Sequence, residues 1–202
     1  MSRPKETAVN APAADHPQGH GREWEELVRI WGETGVPKGC KVEIVEGVVT
    51  VSPAPSRDHD DIADIVQRCL CAVIPEGWGV YRTLGIAVPS RSGLFVPDLA
   101  VVPKTGLSDR FVVAAEVELV VEITANANAH HDRIEKVAGY ARAQVPLYLL
   151  IDRWAPGGPT ITLYGEPKDD DYRVLRAGKF GDGIALPTPF ELTIRTDEFP
   201  VG

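Results

Sequence analysis

The chain contains no run of about 20 apolar residues, the length a helix needs to span a bilayer, so no membrane span is expected. Its start, MSRPKETAVNAPAADHPQGHGREW, lacks the charged-then-apolar order of a secretory leader. Cysteine is scarce: Cys40, Cys69 and Cys71 are odd in number and follow no metal-ligand spacing. They read as small thiols of a reducing compartment, and the cytoplasm is the expected location. A glycine-rich phosphate loop and a GxSxG motif are both missing, which argues against P-loop nucleotide hydrolysis and serine esterase chemistry. Positive charge is short as well: 21 Lys and Arg stand against 29 Asp and Glu, for a net charge of −8. Phosphate contacts favour a basic surface, so this balance argues against tight, non-specific DNA binding at physiological salt.

What is present is an ordinary globular composition, 44% hydrophobic and 25% charged. Residues 1–21, rich in Ala, Pro, Asp and His, read as a disordered tail, and 22–202 as a single domain. Trp24, Leu27, Val28 and Trp31 recur at helical spacing across residues 22–34. KVEIVEGVVTVSP alternates and is β-branched, predicting a hairpin of 42–45 and 48–52 around Glu46-Gly47. Ser56 is placed to cap a helix reaching Ile74, and strands are expected at 79–82, 84–89 and 96–102. VELVVEIT, 117–124, is the most strand-like segment, and LYLLID, 147–152, is a second apolar strand. Between them lies a helix, Asp132–Ala143, with Ile134, Val137, Ala138 and Ala141 as its apolar stripe. A strand–helix–strand unit needs a crossover, so those two strands are expected to be parallel. Residues 160–165 and 172–176 pair across an acidic turn, and 192–195 add an edge element. The sum is an α/β or α+β fold: a mixed sheet flanked by helices, with extra C-terminal strands.

Two strands each carry an acid among apolar neighbours: Asp98 in FVPDLAVV and Glu122 in VELVVEIT. A carboxylate inside a buried strand is expensive unless paired or bound to a cation. Two on adjacent strands repel, and one would take up a proton. A divalent cation relieves both problems, and hard oxygen ligands suit Mg²⁺ or Mn²⁺. On the helix, Lys136 lies about 200° from Ile134, and shares a face with Asp132 and Tyr140. Such a lysine can orient an attacking water and neutralise charge building on a phosphate. Against this stands a plain alternative: a strand carboxylate can cap a loop, and Asp132/Lys136 is also an ordinary i, i+4 surface pair. His130-His131 invite a zinc reading, but adjacent residues do not normally ligate one metal, and no HxxxH or cysteine partner accompanies them. Arg82, Arg91, Arg133 and Arg142 are candidate phosphate contacts.

The blocks KVEIVEGVVTVSPAPSRDH, VPDLAVV, LVVEIT, DRIEKVAGYA and VPLYLLIDRW, in that order, resemble a restriction-endonuclease family common in actinobacteria and cyanobacteria, a branch of the PD-(D/E)XK nuclease superfamily. The resemblance runs from about Glu23 to Phe199. It implies a restriction-endonuclease-like fold with Pro97-Asp98 as the PD element and Glu122 as the acid of the (D/E)XK element. The usual lysine would fall at Thr124; the resemblance implies that Lys136, on the following helix, takes its place. Glu43 matches a residue of the first block that helps bind metal, and His59 matches a recurrent histidine suited to substrate contact or acid–base work. The activity implied by the resemblance is that of a divalent-metal-dependent endonuclease acting on DNA. Asp98, Glu122 and Glu43 would lie on the metal, with no organic cofactor, and a homodimer is implied where both strands are cut. Thr124 and the acidic charge favour a second reading, a nuclease-fold binding module without activity.

Overall fold

The structure, a computed structural model, describes residues 18–105, 111–125 and 134–201. Expectations that fall on residues 1–17, on the His130-His131 loop, and on Asp132 and Arg133 lie outside the described residues. Helix α1 (Gln18–Glu33) starts four residues before its expected position. It lays Trp24, Leu27, Val28 and Trp31 against Ile44, Leu94 and Val96, and the Trp31 indole N–H donates to the Val42 carbonyl at 2.7 Å.

Strands β1 (Lys41–Val45) and β2 (Val48–Ser52) form the expected hairpin. Its two turn residues both take left-handed φ, +49° at Glu46 and +78° at Gly47, as in the two-residue turn whose twist suits paired strands. Helix α2 (Arg57–Cys71) follows, with Ser56 accepting from the His59 N–H as N-cap. Then come β3 (Trp78–Tyr81), β4 (Gly85–Val88), β5 (Gly93–Phe95), β6 (Leu99–Pro103), β7 (Phe111–Val113) and β8 (Leu119–Ile123). Helix α3 (Glu135–Arg142) leads to β9 (Leu147–Asp152), the long hairpin β10 (Thr160–Lys168) and β11 (Asp171–Lys179), and the C-terminal pair β12 (Gly183–Leu186) and β13 (Leu192–Arg195).

A six-stranded sheet runs β11-β10-β9-β8-β6-β3, and a five-stranded sheet runs β2-β1-β5-β4-β7. The expected parallel pair is β8 with β9, in register Val121↔Leu149. The expected strand 96–102 begins only at Leu99, and a separate strand, β5, precedes it. Pro97 has no N–H for a ladder, and the chain leaves β5 in one sheet and enters β6 in the other across Val96-Pro97-Asp98. Asp98 therefore stands where the two sheets meet.

One face of the six-stranded sheet, Leu99, Val101, Leu119, Val121 and Ile123, packs on Ile62, Val66 and Leu70 of α2 and on the β12–β13 pair. The other face, Ala100, Val102, Val120, Tyr148 and Leu150, packs on α3 and on Ile86, Val88 and Phe95 of the smaller sheet. The stripe expected on α3 is only partly right. Ile134 is 50% exposed, and the buried residues are Lys136, Val137, Gly139, Tyr140 and Ala141. The helix is turned so that a lysine and a tyrosine, rather than an isoleucine, face the sheet. Among the described residues no helix is long and apolar enough to cross a membrane.

Gly139 sets how closely α3 docks. A Cβ there would lie 2.4 Å from the Phe95 ring, which is itself buried and stacked edge-on against Tyr140 at 5.3 Å. Gly139→Ala is expected to lower stability by roughly 1–3 kcal/mol through overpacking, despite alanine's better helix propensity. Denaturant melts check this; an unchanged or raised midpoint would show that α3 docks loosely.

Candidate active site

The site is assembled from both sheets and two helices. Period-two alternation along β1 puts Lys41 and Glu43 on one face, pointing toward the Val96–Asp98 crossing. The antiparallel register Leu99↔Val121, carried one residue further, sets Asp98 opposite Glu122. Helix α2 brings His59 from its first turn, and α3 brings Lys136 and Tyr140. Asp98, Glu122, Lys136, Glu43 and His59 are all buried and all line one cavity of about 220 Å³. Asp132, the remaining expected residue, lies outside the described ones.

The contacts form two linked groups. In the first, the Lys136 ammonium is 3.0 Å from Glu122 Oε1 and 3.0 Å from Glu43 Oε1, while the Tyr140 hydroxyl donates to Glu122 Oε1 at 3.4 Å. Glu43 Oε1 also accepts the Val96 N–H at 2.7 Å. In the second, Asp98 Oδ1 pairs with the Lys41 ammonium, which also donates to the Val96 carbonyl at 3.2 Å. Asp98 Oδ2 accepts from His59 Nε2 at 3.0 Å and from the Ile123 N–H at 2.7 Å. That backbone bond comes from the residue after Glu122, so it locks the two acidic positions together across the strands.

Burial pushes Asp98 up, but the Lys41 ammonium and the His59 hydrogen bond outweigh it and hold this carboxyl well below the usual carboxylate range. Burial likewise pushes Lys41 down, and the neighbouring Asp98 and Glu122 raise it above its ordinary value. Asp98 and Lys41 are thus a charged pair in the folded protein.

Sequence reasoning missed Lys41, though a lysine two residues before Glu43 on an alternating strand was the available signal. It also assigned no role to Arg153 and Trp154, which line the same cavity. Three of the arginines it did single out do not line this cavity: Arg82 pairs with Asp64, Arg91 with Glu46 and Arg142 with Asp170, although Arg82 borders an adjoining cavity together with Lys41, His59 and Asp98. Thr124, at the place where the family's usual lysine would fall, is fully buried and donates to Asp152 Oδ1 at 3.0 Å.

Among the described residues, no three His, Cys, Asp or Glu side chains stand close enough to hold a metal ion as they are placed. The donor chemistry nevertheless fits a hard divalent cation. Asp98, Glu122 and Glu43 offer only carboxylate oxygens, on a cavity with room for water. Their present counter-charges are the ammonium groups of Lys41 and Lys136.

A family model described as "Uma2: Putative restriction endonuclease" matches residues 24–197. The chain belongs to this family. The fold agrees: the crystal structure of a protein of Anabaena variabilis ATCC 29413, described as a putative nuclease belonging to DUF820, superposes with a TM-score of 0.68. That match covers 87% of this chain and 96% of the other at 16% identity, and it speaks for the restriction-endonuclease-like fold alone. Apo NucC of E. coli MS115-1 aligns over only 50% of this chain and 53% of its own, at 12% identity and a TM-score of 0.28. No curated protein matches this Uma2-family chain in sequence.

The depressed Asp98 has a consequence for stability. Its folded value lies below the unfolded 3.8, so its contribution is complete above about 3.8 and is lost as the pH falls through the folded value. In chelator at pH 7, Asp98→Asn is expected to cost stability toward the lower end of roughly 3–5 kcal/mol, by leaving Lys41 buried beside a neutral amide. The gap to wild type should narrow below that pH. Urea melts at pH 7 and pH 3 decide it; a gap independent of pH would mean that Asp98 is not the ionised partner of Lys41.

Proposed function

We propose that this protein is a divalent-metal-dependent endonuclease that hydrolyses DNA phosphodiester bonds with water as the nucleophile. The observation that carries this reading is the meeting of two buried carboxylates, Asp98 and Glu122, with the buried Lys136 in one open cavity of a Uma2-family fold. Asp98 and Glu122, with Glu43, would hold Mg²⁺ or Mn²⁺. Bound there, the ion would lower the pKa of a water molecule and offset negative charge on the phosphate.

The chain's own groups supply the rest. Lys136, fixed between Glu43 and Glu122, presents ammonium hydrogens to the attacking water and to a phosphate oxygen. Lys41 neutralises Asp98 and stands ready to meet an incoming phosphate. His59 and the Ile123 N–H fix the Asp98 carboxylate in one orientation. Water adds to phosphorus as the ester P–O bond breaks, and the departing oxygen leaves with a proton. A homodimer would supply the two sites that cutting both strands of a duplex requires.

Among the described residues, the cavity carboxylates Asp98, Glu122 and Glu43 stand beside two ammonium groups, Lys41 and Lys136, while Arg153 is paired with Asp58. The ammonium groups offset much of the carboxylate charge before a dication enters, and an incoming phosphate would draw on them and so favour the ion. Metal and DNA are therefore expected to bind together, with Mn²⁺ affinity by calorimetry rising when a non-cleavable oligonucleotide is present.

Supercoiled plasmid should be nicked with Mg²⁺ or Mn²⁺ and left intact in chelator. Asp98→Ala and Glu122→Ala should abolish nicking, and Lys136→Met should slow it by about 10²–10³-fold. Cleavage that survives both carboxylate substitutions would overturn the assignment of Asp98 and Glu122, and the absence of cleavage and of any Mn²⁺ binding, with and without DNA, would leave a nuclease-fold binding module as the correct description.

A further inference from the structure

Strand β9 ends at Asp152, and the two residues after it turn toward the cavity. The Arg153 side chain is only 6% exposed, lines the cavity, and has a buried Nε with no hydrogen-bond partner. Its other two nitrogens reach Ser56 Oγ at 3.3 Å and Asp58 Oδ2 at 2.9 Å. A buried guanidinium with an unmet donor is costly, and on a cavity wall it is a ready anion contact. Trp154 is different in kind. It is 44% exposed, and among the described residues it is the one exposed large apolar side chain that lines this cavity. Its ring centre lies 5.8 Å from the Arg153 guanidinium.

Thr124 and Asp152 hold this pair in place. The Thr124 hydroxyl donates to Asp152 Oδ1 and accepts the Arg153 N–H, each at 3.0 Å, and Asp152 Oδ1 accepts the Trp154 N–H at 3.0 Å. A buried threonine and a buried aspartate are thereby spent on fixing a two-residue turn.

We propose that Arg153 and Trp154 form a nucleotide subsite beside the carboxylates. The guanidinium takes the phosphate next to the one attacked, and the Trp154 ring stacks on an unpaired base, which gives single-stranded DNA the advantage over fully paired DNA. This rests on the nuclease reading above and sharpens it. The cavity, at about 220 Å³, is smaller than the roughly 300–1,000 Å³ of a pocket that engulfs a ligand, so it admits the phosphate while the base stays outside. Outside is where the exposed tryptophan lies. A base within a duplex is already stacked on both faces and cannot lie on Trp154, whereas an unpaired base can.

The test measures binding by fluorescence anisotropy with Ca²⁺ present, using a labelled single-stranded dodecamer and the same sequence closed into a blunt hairpin. Wild type should bind the single strand about tenfold more tightly than the hairpin. Trp154→Ala should erase that preference while keeping the melting temperature, since the ring is exposed, and Trp154→Phe should retain most of it. Arg153→Gln should weaken single-strand binding about tenfold; if it also loosens the fold, Trp154→Ala carries the test. Equal affinity for the two probes, no binding of either, or a preference untouched by Trp154→Ala overturns the subsite. A plasmid-cleaving protein whose Trp154 and Arg153 variants bind and cut as wild type does would keep the nuclease reading and lose the subsite. Trp154-dependent single-strand binding by a protein that cuts nothing would do the reverse.

Discussion

Asp98, one residue before β6, and Glu122 of β8 are both buried where the register of the two strands brings them opposite each other, and two carboxylates so placed repel one another unless cations stand beside them. Much of the surrounding architecture answers that demand. The hairpin β1–β2 reaches across from the smaller sheet to set Lys41 on Asp98, and α3 turns a charged face inward to set Lys136 on Glu122. Glu43 then ties the two groups, because its Oε1 meets both Lys136 and the Val96 N–H at the crossing between sheets. Removing any one of these charges leaves its partner buried and uncompensated, a larger penalty than the pair's own net contribution. The charge cluster is therefore poor as a source of stability and specific as a device for holding oxygen and ammonium groups at fixed distances.

That cluster also explains the location of the site. Pro97 ends the ladder of β5 and releases the chain into the other sheet, so Asp98 lies in a corner that neither sheet covers alone. A cavity can open there without breaking the core on either face, since the two apolar layers lie on opposite sides of the six-stranded sheet. Close docking of α3 at Gly139 against Phe95 brings Lys136 within reach despite its place on a short, eight-residue helix.

The parts of this arrangement that were legible in the sequence are those with local signals. A lone acid in an apolar strand marks Asp98 and Glu122, the Glu46-Gly47 turn marks the hairpin, and two apolar strands around a helical segment mark the parallel pair β8–β9. What was not legible depends on pairings distant in the chain. Nothing near Lys41 tells of Asp98, 57 residues on, because their meeting depends on the contact of Ile44 with Leu94 between β1 and β5. The strands β5 and β7 are three residues long, too short to show a period. On α3 the usual rule misleads: Ile134 faces out and Lys136 in, because the buried carboxylates attract an ammonium more strongly than the core attracts an isoleucine at the helix start.

Thr124 joins these threads. From the sequence it is the place where a nuclease lysine is missing, and that absence favoured an inactive relative. In the fold, two ammonium groups already stand beside the acids, Lys136 from α3 on Glu122 and Lys41 from β1 on Asp98. The position is then available for another task. Its hydroxyl, fully buried, is a donor to Asp152 and an acceptor for Arg153, and so couples the strand that bears Glu122 to the turn that bears the arginine and the tryptophan. A lysine there could donate to Asp152 but could not accept the Arg153 N–H, since an ammonium has no lone pair. Thr124 on one side and Lys136 on the other thus hold separate parts of the same cavity wall, the threonine through the turn after β9 and the lysine through Glu122.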